Sequence, residues 1–268
     1  MLRAIRQLFA RDVSAPPAAA VPAGQRVYAV GDIHGRLDLF EALIAAIEAD
    51  DARGGPAETT VILLGDLVDR GPDSAGVIAR ARQWQRRRKV RILAGNHEEM
   101  FLSSFDKVET LKHFLRFGGK ETVLSFGVDA QAYLLASVEE VQEMMRAAVP
   151  VEDRAFIESF EDMIAIGDYL FVHAGILPQV PFDEQRTGDL RWIREPFLSH
   201  PERFGAVVVH GHTISDEPQD RGNRIGIDTG AYLSGRLTAL VLEGSSRRYI
   251  VATDDGGAIS AAARELAA

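Results

Sequence analysis

The chain has 268 residues, of which 46% are hydrophobic and 26% charged, values that exclude wholesale disorder and allow a sizeable buried core. It contains no cysteine, which excludes disulfides, zinc–thiolate sites and thiol nucleophiles and leaves oxygen and imidazole nitrogen as the metal donors. The net charge of −9 and pI near 5.3 are the reverse of the balance that holds nucleic acid through its phosphates.

Residues 1–25 read as a flexible tail and linker. Leu2, Ile5, Leu8 and Phe9 recur at helical spacing beside Arg3, Arg6 and Arg11, which predicts a short amphipathic helix. Weak contact with a membrane surface is its lesser reading. Arg11-Asp12 interrupts the apolar stretch that a secretory signal needs, and Ser14 to Gly24 is a Pro/Ala linker. No run approaches ~20 apolar residues, so no membrane span is expected.

From residue 26 to 255 the pattern is that of a folded domain, with 256–268 read as a C-terminal tail. Strands are predicted at Val27–Val30, Thr59–Leu64 and Val90–Leu93, alternating with helices at Leu37–Asp50 and Ser74–Gln85. That alternation argues βαβ units and a parallel sheet. Residues 98–162 are almost free of strand signals and read as a helical insert, broken at Pro150. Strands return at Ile164–Ile166, Tyr169–Val172, Ala206–Val209, Arg224–Ile227, Leu237–Leu242 and Arg248–Ala252, with a hairpin turn at Gly167-Asp168. This strand-rich half is expected to form a second sheet packed on the first. Arg86 to Lys89 is the one basic cluster and reads as the solvated end of a helix, where cations complement the dipole.

Five unusual segments lie just past predicted strands: Gly31-Asp32-Ile33-His34-Gly35, Gly65-Asp66-Leu67-Val68-Asp69-Arg70-Gly71, Gly95-Asn96-His97-Glu98, His173-Ala174-Gly175 and Gly211-His212-Thr213. Ligands of α/β sheets bind at the carboxyl ends of strands, so these loops should converge. Taken singly, each has a bland explanation: Asp32 as a helix cap, Asn96 as an Asx turn, Asp69-Arg70 as a local ion pair, a histidine as satisfied core. Their joint occurrence is what those explanations do not cover. Asp32, His34, Asp66, Asn96, His173 and His212 offer too many oxygen and imidazole ligands for one ion with open positions. They suit two borderline divalent cations ~4 Å apart with one carboxylate bridging, and Asp66 is the natural bridge.

These segments resemble the phosphoprotein phosphatase branch of the calcineurin-like metallophosphoesterases, marked by Gly-Asp-x-His-Gly, Gly-Asp-x-x-Asp-Arg-Gly and Gly-Asn-His-Glu, and look most like its compact bacterial and phage members. The likeness covers about Arg26 to Glu243. It implies an α/β sandwich of two mixed sheets flanked by helices, with the helical insert near the site. It also implies that Asp32, His34 and Asp66 hold one metal while Asp66, Asn96, His173 and His212 hold the other. The ions are expected to be manganese, with iron or zinc as alternatives. His97 would be the general acid, supported by Asp69. Arg70, a second arginine and Asn96 would bind the substrate phosphate. Trp192-Ile193-Arg194-Glu195 resembles a family stretch and makes Arg194 that second arginine, with Arg186 and Arg191 as competitors. Ile227 to Ala231 echoes a segment that supports the site. In nuclease-type relatives a Gly-His-x-His pattern supplies a ligand to each metal; here position 214 is Ile, so His212 is the ligand and His210 is placed behind it.

The activity so implied is that of a cytoplasmic serine/threonine protein phosphatase, in which a hydroxide bridging the metals attacks phosphorus directly. A dinucleoside tetraphosphate hydrolase or other small-molecule phosphoesterase uses nearly the same residues and stands as the alternative. A non-catalytic binding protein fits less well, since every inferred ligand and the acid are intact. The expected partners are phosphorylated proteins or small phosphoesters.

Overall fold

A computed structural model describes residues 18–264 of the chain. In chain order the elements are β1 (Gln25–Val30), α1 (Leu37–Arg53), β2 (Glu58–Leu63), α2 (Ser74–Gln85), β3 (Val90–Ile92), α3 (Asn96–Ser104), α4 (Val108–Phe114), α5 (Lys120–Ser125), α6 (Ala130–Leu135), α7 (Val138–Ala148), α8 (Val151–Glu158), β4 (Met163–Ile166), β5 (Tyr169–Val172), α9 (Thr187–Trp192), β6 (Val207–His210), β7 (Gln219–Asp220), β8 (Arg224–Gly226), α10 (Ala231–Ser234), β9 (Arg236–Glu243), β10 (Ser246–Asp255) and β11 (Ala258–Arg264).

The strands form two sheets, ordered β11-β10-β9-β1-β2-β3 and β4-β5-β6-β8-β7. β1, β2 and β3 run parallel, as do β5, β6 and β8. Each parallel trio is extended by antiparallel strands, so both sheets are mixed. The alternation of β1 shows how the layers are built. Val27 and Ala29 face the second sheet, where they meet Phe171, Val209 and Ile225. Tyr28 and Val30 face the opposite way, onto Phe40, Leu43 and Trp84 of α1 and α2. The outer face of the second sheet is covered by Leu190, Ile193 and Phe197. The result is a two-sheet sandwich with helices outside.

Helices α3–α8 build a core of their own around Phe101, whose ring lies 5.2 Å from Phe105, 5.8 Å from Phe114 and 6.2 Å from Phe126. Val68 and Ile78 belong to the same cluster, so the insert packs against the loop after β2 and against α2. Met100 and Met145 are buried there as packing residues. Between α4 and α5 the helix is interrupted, with Gly118 at φ 110°.

The structure differs from the sequence reading in three places. First, β9, β10 and β11 do not join the second sheet: β9 pairs antiparallel with β1 and brings its neighbours into the first. Second, the tail expected from residue 256 is instead an edge strand, entered through an Asp-Gly-Gly turn in which Asp254 accepts from the Gly257 N–H at 2.7 Å. Ala-rich β11 carries little intrinsic strand preference; its ladder to β10 imposes the conformation. Third, the end of the N-terminal linker is packed. Val21 is buried between the sheets and its N–H donates to the Gly244 carbonyl, while Asp168 exchanges hydrogen bonds with Ala20. The helix expected at residues 2–9 lies outside the described residues.

Half of the basic cluster is paired, with Arg88 held by Glu48 and Asp51 and Lys89 by Glu58. No helix of the described residues is long and apolar enough to cross a membrane.

Truncating Phe101 to Ala should cost about 3–5 kcal/mol, the usual loss for a buried aromatic. It would be read as a lower urea midpoint; an unchanged midpoint would mean that the insert core is not the tight cluster described.

Candidate metal centre

The six parallel strands, three from each sheet, end at the same place. The loops after β1, β2 and β3 carry Asp32 and His34, Asp66 to Arg70, and Asn96 to Glu98; those after β5 and β6 carry His173 and His212. The loop after β8 adds Asp228. All of these except Arg70 are buried.

The backbone is shaped for this convergence. Of the non-glycine residues with positive φ among those described, five of six are His34, Asp66, Asp69, Arg70 and His212. Two glycines are required by close approach: a Cβ on Gly211 would stand 2.0 Å from Asp32 Oδ1, and one on Gly95 would stand 2.1 Å from Asp66 Oδ1. Glu98 fixes the central loop. Its buried carboxylate accepts the N–H of Gly95 at 2.8 Å, Asp66 at 2.8 Å and Leu67 at 2.7 Å, so it caps α3 and clamps the turn after β2 at once. The sequence reading gave Glu98 no role, although its position three residues after Gly95 is a capping-box spacing.

The donor atoms then face each other. His34 Nδ1 donates to the Val68 carbonyl and His173 Nδ1 to the Leu64 carbonyl, each at 2.8 Å, which leaves both Nε2 lone pairs facing inward. His173 Nε2 meets Asn96 Oδ1 at 3.1 Å and Asp66 Oδ1 at 3.4 Å, and His212 Nδ1 lies 2.8 Å from the same Asn96 oxygen. On the other side His34 Nε2 lies 3.5 Å from Asp66 Oδ2. Acceptors packed against acceptors are satisfied by a cation. Asp66 directs one oxygen into each group, the geometry of a bridging ligand. Among the described residues the groups able to hold an ion are His34–Asp66–His97 and Asp66–His173–His212, the first containing His97 where the resemblance implied Asp32. Asp32 is not a helix cap, since Arg36 occupies that position of α1. Its carboxylate instead accepts the His212 N–H at 3.0 Å, beside Asp66 and Asp228.

Electrostatics agree with that donor set. Burial pushes His173 down to about 3 and His212 down to about 2, so both imidazoles are neutral, as ligation requires. Burial, together with the neighbouring Asp228 charge, lifts Asp66 to about 6; burial and the carboxylates of Asp228 and Asp66 hold Asp32 well above its ordinary range. Divalent cations would remove that penalty.

His97 is placed beside this centre. Its Nδ1 donates to Asp69 Oδ2 at 2.6 Å, and Arg70 Nη2 donates to its Nε2 at 2.9 Å. The other guanidinium nitrogen of Arg70 lies 2.9 Å from His34 Nε2, and the group stacks 4.7 Å above the Tyr232 ring. Burial first, and then the Arg70 charge, hold His97 below its usual range despite the pull of Asp66.

Asp66, Arg70, Asn96, His97, Arg194 and His212 line one cavity of about 270 Å³. Through Met100, His113 and Trp192 it adjoins a groove of about 420 Å³. Of the three candidate arginines only Arg194 lines the cavity. Arg191 is held by Asp162 at 2.7 Å and Glu99 at 3.3 Å, and Arg186 precedes α9 and does not line the cavity. His210 turns from the centre: it packs edge-on to Phe197, and Arg224 donates to its Nε2 at 3.2 Å. Tyr232, set against both His34 and Arg70, was not singled out from the sequence, where a lone tyrosine after a turn carries no signal.

Comparison with known proteins agrees with this geometry. The chain is 28% identical over 220 residues to serine/threonine-protein phosphatase 1 of Salmonella typhimurium, covering 80% of this chain and 90% of that one. It is 26% identical over 234 residues to the asymmetrical bis(5'-nucleosyl)-tetraphosphatase PrpE of Anoxybacillus flavithermus, covering 79% and 88%. In fold it is similar to a solved structure provisionally described as a diadenosine tetraphosphatase, with TM-score 0.59 and 23% identity over 92% of this chain and 98% of that one. The profile of the calcineurin-like phosphoesterases matches residues 25–234, the span that contains every inward-facing donor described above. The chain therefore belongs to the calcineurin-like phosphoesterase family, hydrolases built on a binuclear divalent metal centre.

Proposed function

We propose that this phosphoesterase is a manganese-dependent phosphomonoesterase whose substrates are phosphoserine and phosphothreonine in proteins. The observation that carries the reading is the built proton donor. An alkoxide of serine or threonine is a poor leaving group and gains ~10²–10⁴-fold from a positioned acid, whereas a nucleotide phosphate leaves readily without one. His97, with Nδ1 fixed on Asp69 at 2.6 Å, keeps Nε2 for the ester oxygen. The groove beside the cavity gives an extended peptide a place to lie while its phosphorylated side chain reaches inward.

Asp32, His34 and Asp66 would hold one cation, and Asp66, Asn96, His173 and His212 the other. Bound there, two divalent ions polarise the phosphoryl oxygens and supply a nucleophile at neutral pH. The residues of the chain do the rest. Arg70 and Arg194 bracket the phosphate with Asn96 beneath it, so charge that redistributes onto the equatorial oxygens meets fixed donors. Recruiting Arg70 to the phosphate takes a cation from His97 Nε2 and sets an anion beside it, which favours the imidazolium. His97 then protonates the departing oxygen while Asp69 stabilises the ring.

A second reading, hydrolysis of dinucleoside tetraphosphates, is favoured by one feature. Phe117 and Trp192, 43% and 37% exposed, stand at the rim of the cavity and offer flat faces for a nucleobase. A phosphothreonine peptide and diadenosine tetraphosphate compared under manganese separate the two: higher kcat/KM on the peptide is expected, and the reverse assigns the nucleotide.

Two variants test the roles of individual residues. His97→Asn should slow the phosphopeptide by ~10²–10⁴-fold and nitrophenyl phosphate far less; equal losses would argue against the acid role. Asp66→Asn should lose metal stoichiometry along with turnover, and two metals per chain retained by elemental analysis would refute the bridge.

A further inference from the structure

We propose that Thr122, on α5 of the helical insert, is a positioning residue that holds Asp69 in the orientation His97 needs. The inference rests on the reading of His97 as proton donor and assigns a part to a side chain that does not itself line the cavity.

Asp69 is fully buried and sits at φ 74°, in the left-handed region, so neither solvent nor ordinary backbone preference fixes its side chain. Its two oxygens have separate partners. Oδ2 accepts from His97 Nδ1 at 2.6 Å, and Oδ1 accepts from Thr122 Oγ1 at 2.6 Å. The same hydroxyl oxygen accepts the Asp69 N–H at 2.9 Å and lies 2.9 Å from Ser74 Oγ, the first residue of α2. Thr122 thus grips both the main chain and the carboxylate of one residue. The carboxyl torsion of Asp is broad, and this second hydrogen bond selects one setting of it. The adjoining Gly118 carbonyl accepts the Arg70 N–H at 3.0 Å, and a Cβ on Gly118 would stand 2.6 Å from Arg70 Cγ. Two successive site residues are therefore set by the stretch from Gly118 to Thr122.

The consequence is specific. Loss of the Thr122 hydroxyl leaves Asp69 Oδ1 without that donor and frees the carboxylate to turn from His97. Proton delivery suffers, while the donor atoms for the metals keep their own supports. Substrates whose leaving group needs a proton should be slowed, and those with an acidic leaving group spared.

The test uses the metal-loaded full chain and a series of aryl and alkyl phosphates of falling leaving-group acidity, so it does not depend on the natural substrate. Thr122→Val, equal in shape, is expected to lower kcat for the least acidic leaving groups by ~10-fold or more, the scale of a hydrogen bond to a charged group. Nitrophenyl phosphate should change by no more than ~3-fold and metal content not at all. Thr122→Ser should restore the series. In a His97→Asn background Thr122→Val should add no further loss. Thr122→Ala, read against its own thermal midpoint, substitutes for the valine variant if that one folds poorly. Uniform loss across the series, failure of serine to rescue a folded protein, or an additive effect on His97→Asn would overturn the positioning role. If His97→Asn itself shows no selectivity for poor leaving groups, the acid reading falls and this proposal with it. If His97→Asn is selective and Thr122→Val is not, the positioning proposal alone fails.

Discussion

One carboxylate governs the arrangement of everything around it. Asp66 sends each of its oxygens to a different histidine, at 3.4 and 3.5 Å. Such a group is tolerable in a protein interior only if positive charge answers it, and the Arg70 guanidinium is a cation the chain sets near it. The surrounding design follows from that requirement. Neutral imidazoles are held by their outer nitrogens, and two glycines lack the Cβ that would collide with Asp66 and Asp32.

Holding such a cluster open requires a backbone that does not relax. Left-handed non-glycine residues cost of order 1–3 kcal/mol each in an unsupported chain, and here they are concentrated at His34, Asp66, Asp69, Arg70 and His212. The hydrogen bonds that offset this cost come from residues with no chemistry of their own. Glu98 supplies a buried carboxylate to the N–H groups of Asp66, Leu67 and Gly95, and the Asp66 carbonyl accepts from both Ile33 and His34. Donor positions are thereby fixed before any ligand arrives, a preorganisation that matters most for electrostatic catalysis.

How much of this could be read from the sequence depended on how local the cause was. The loops after β1, β2 and β3 announce themselves because glycine, carboxylate and histidine occur together at strand ends, and Asp66 stands out by its central place in the order. Arg194 was separable from Arg191 only in three dimensions, since the partners Asp162 and Glu99 lie far from it in sequence. Thr122 and Tyr232 gave no signal because their meaning lies wholly in what the fold brings to them. His210 looked like a companion of His212 through the strand's period of two. Beyond the end of β6, however, the chain turns at Gly211 and the left-handed His212, and the two rings part. The C-terminal strands were misplaced for a related reason: hydrophobic alternation marks a strand but does not say which sheet receives it.

That placement bears on how the protein is made. β1 lies between β2 and β9, and its residue Arg26 pairs with Glu243, so β1 takes one of its neighbours from 217 residues further along the chain. Pairings of such long sequence separation are slow to close, and edges left open meanwhile are prone to misassociation. Until β9 arrives, the loop bearing Asp32 and His34 is anchored on one side only. The strand that pairs with β1 on its second side is therefore also a support of the loop that carries Asp32 and His34, through the hydrogen bond from the Gly31 N–H to the Thr238 carbonyl at 3.0 Å.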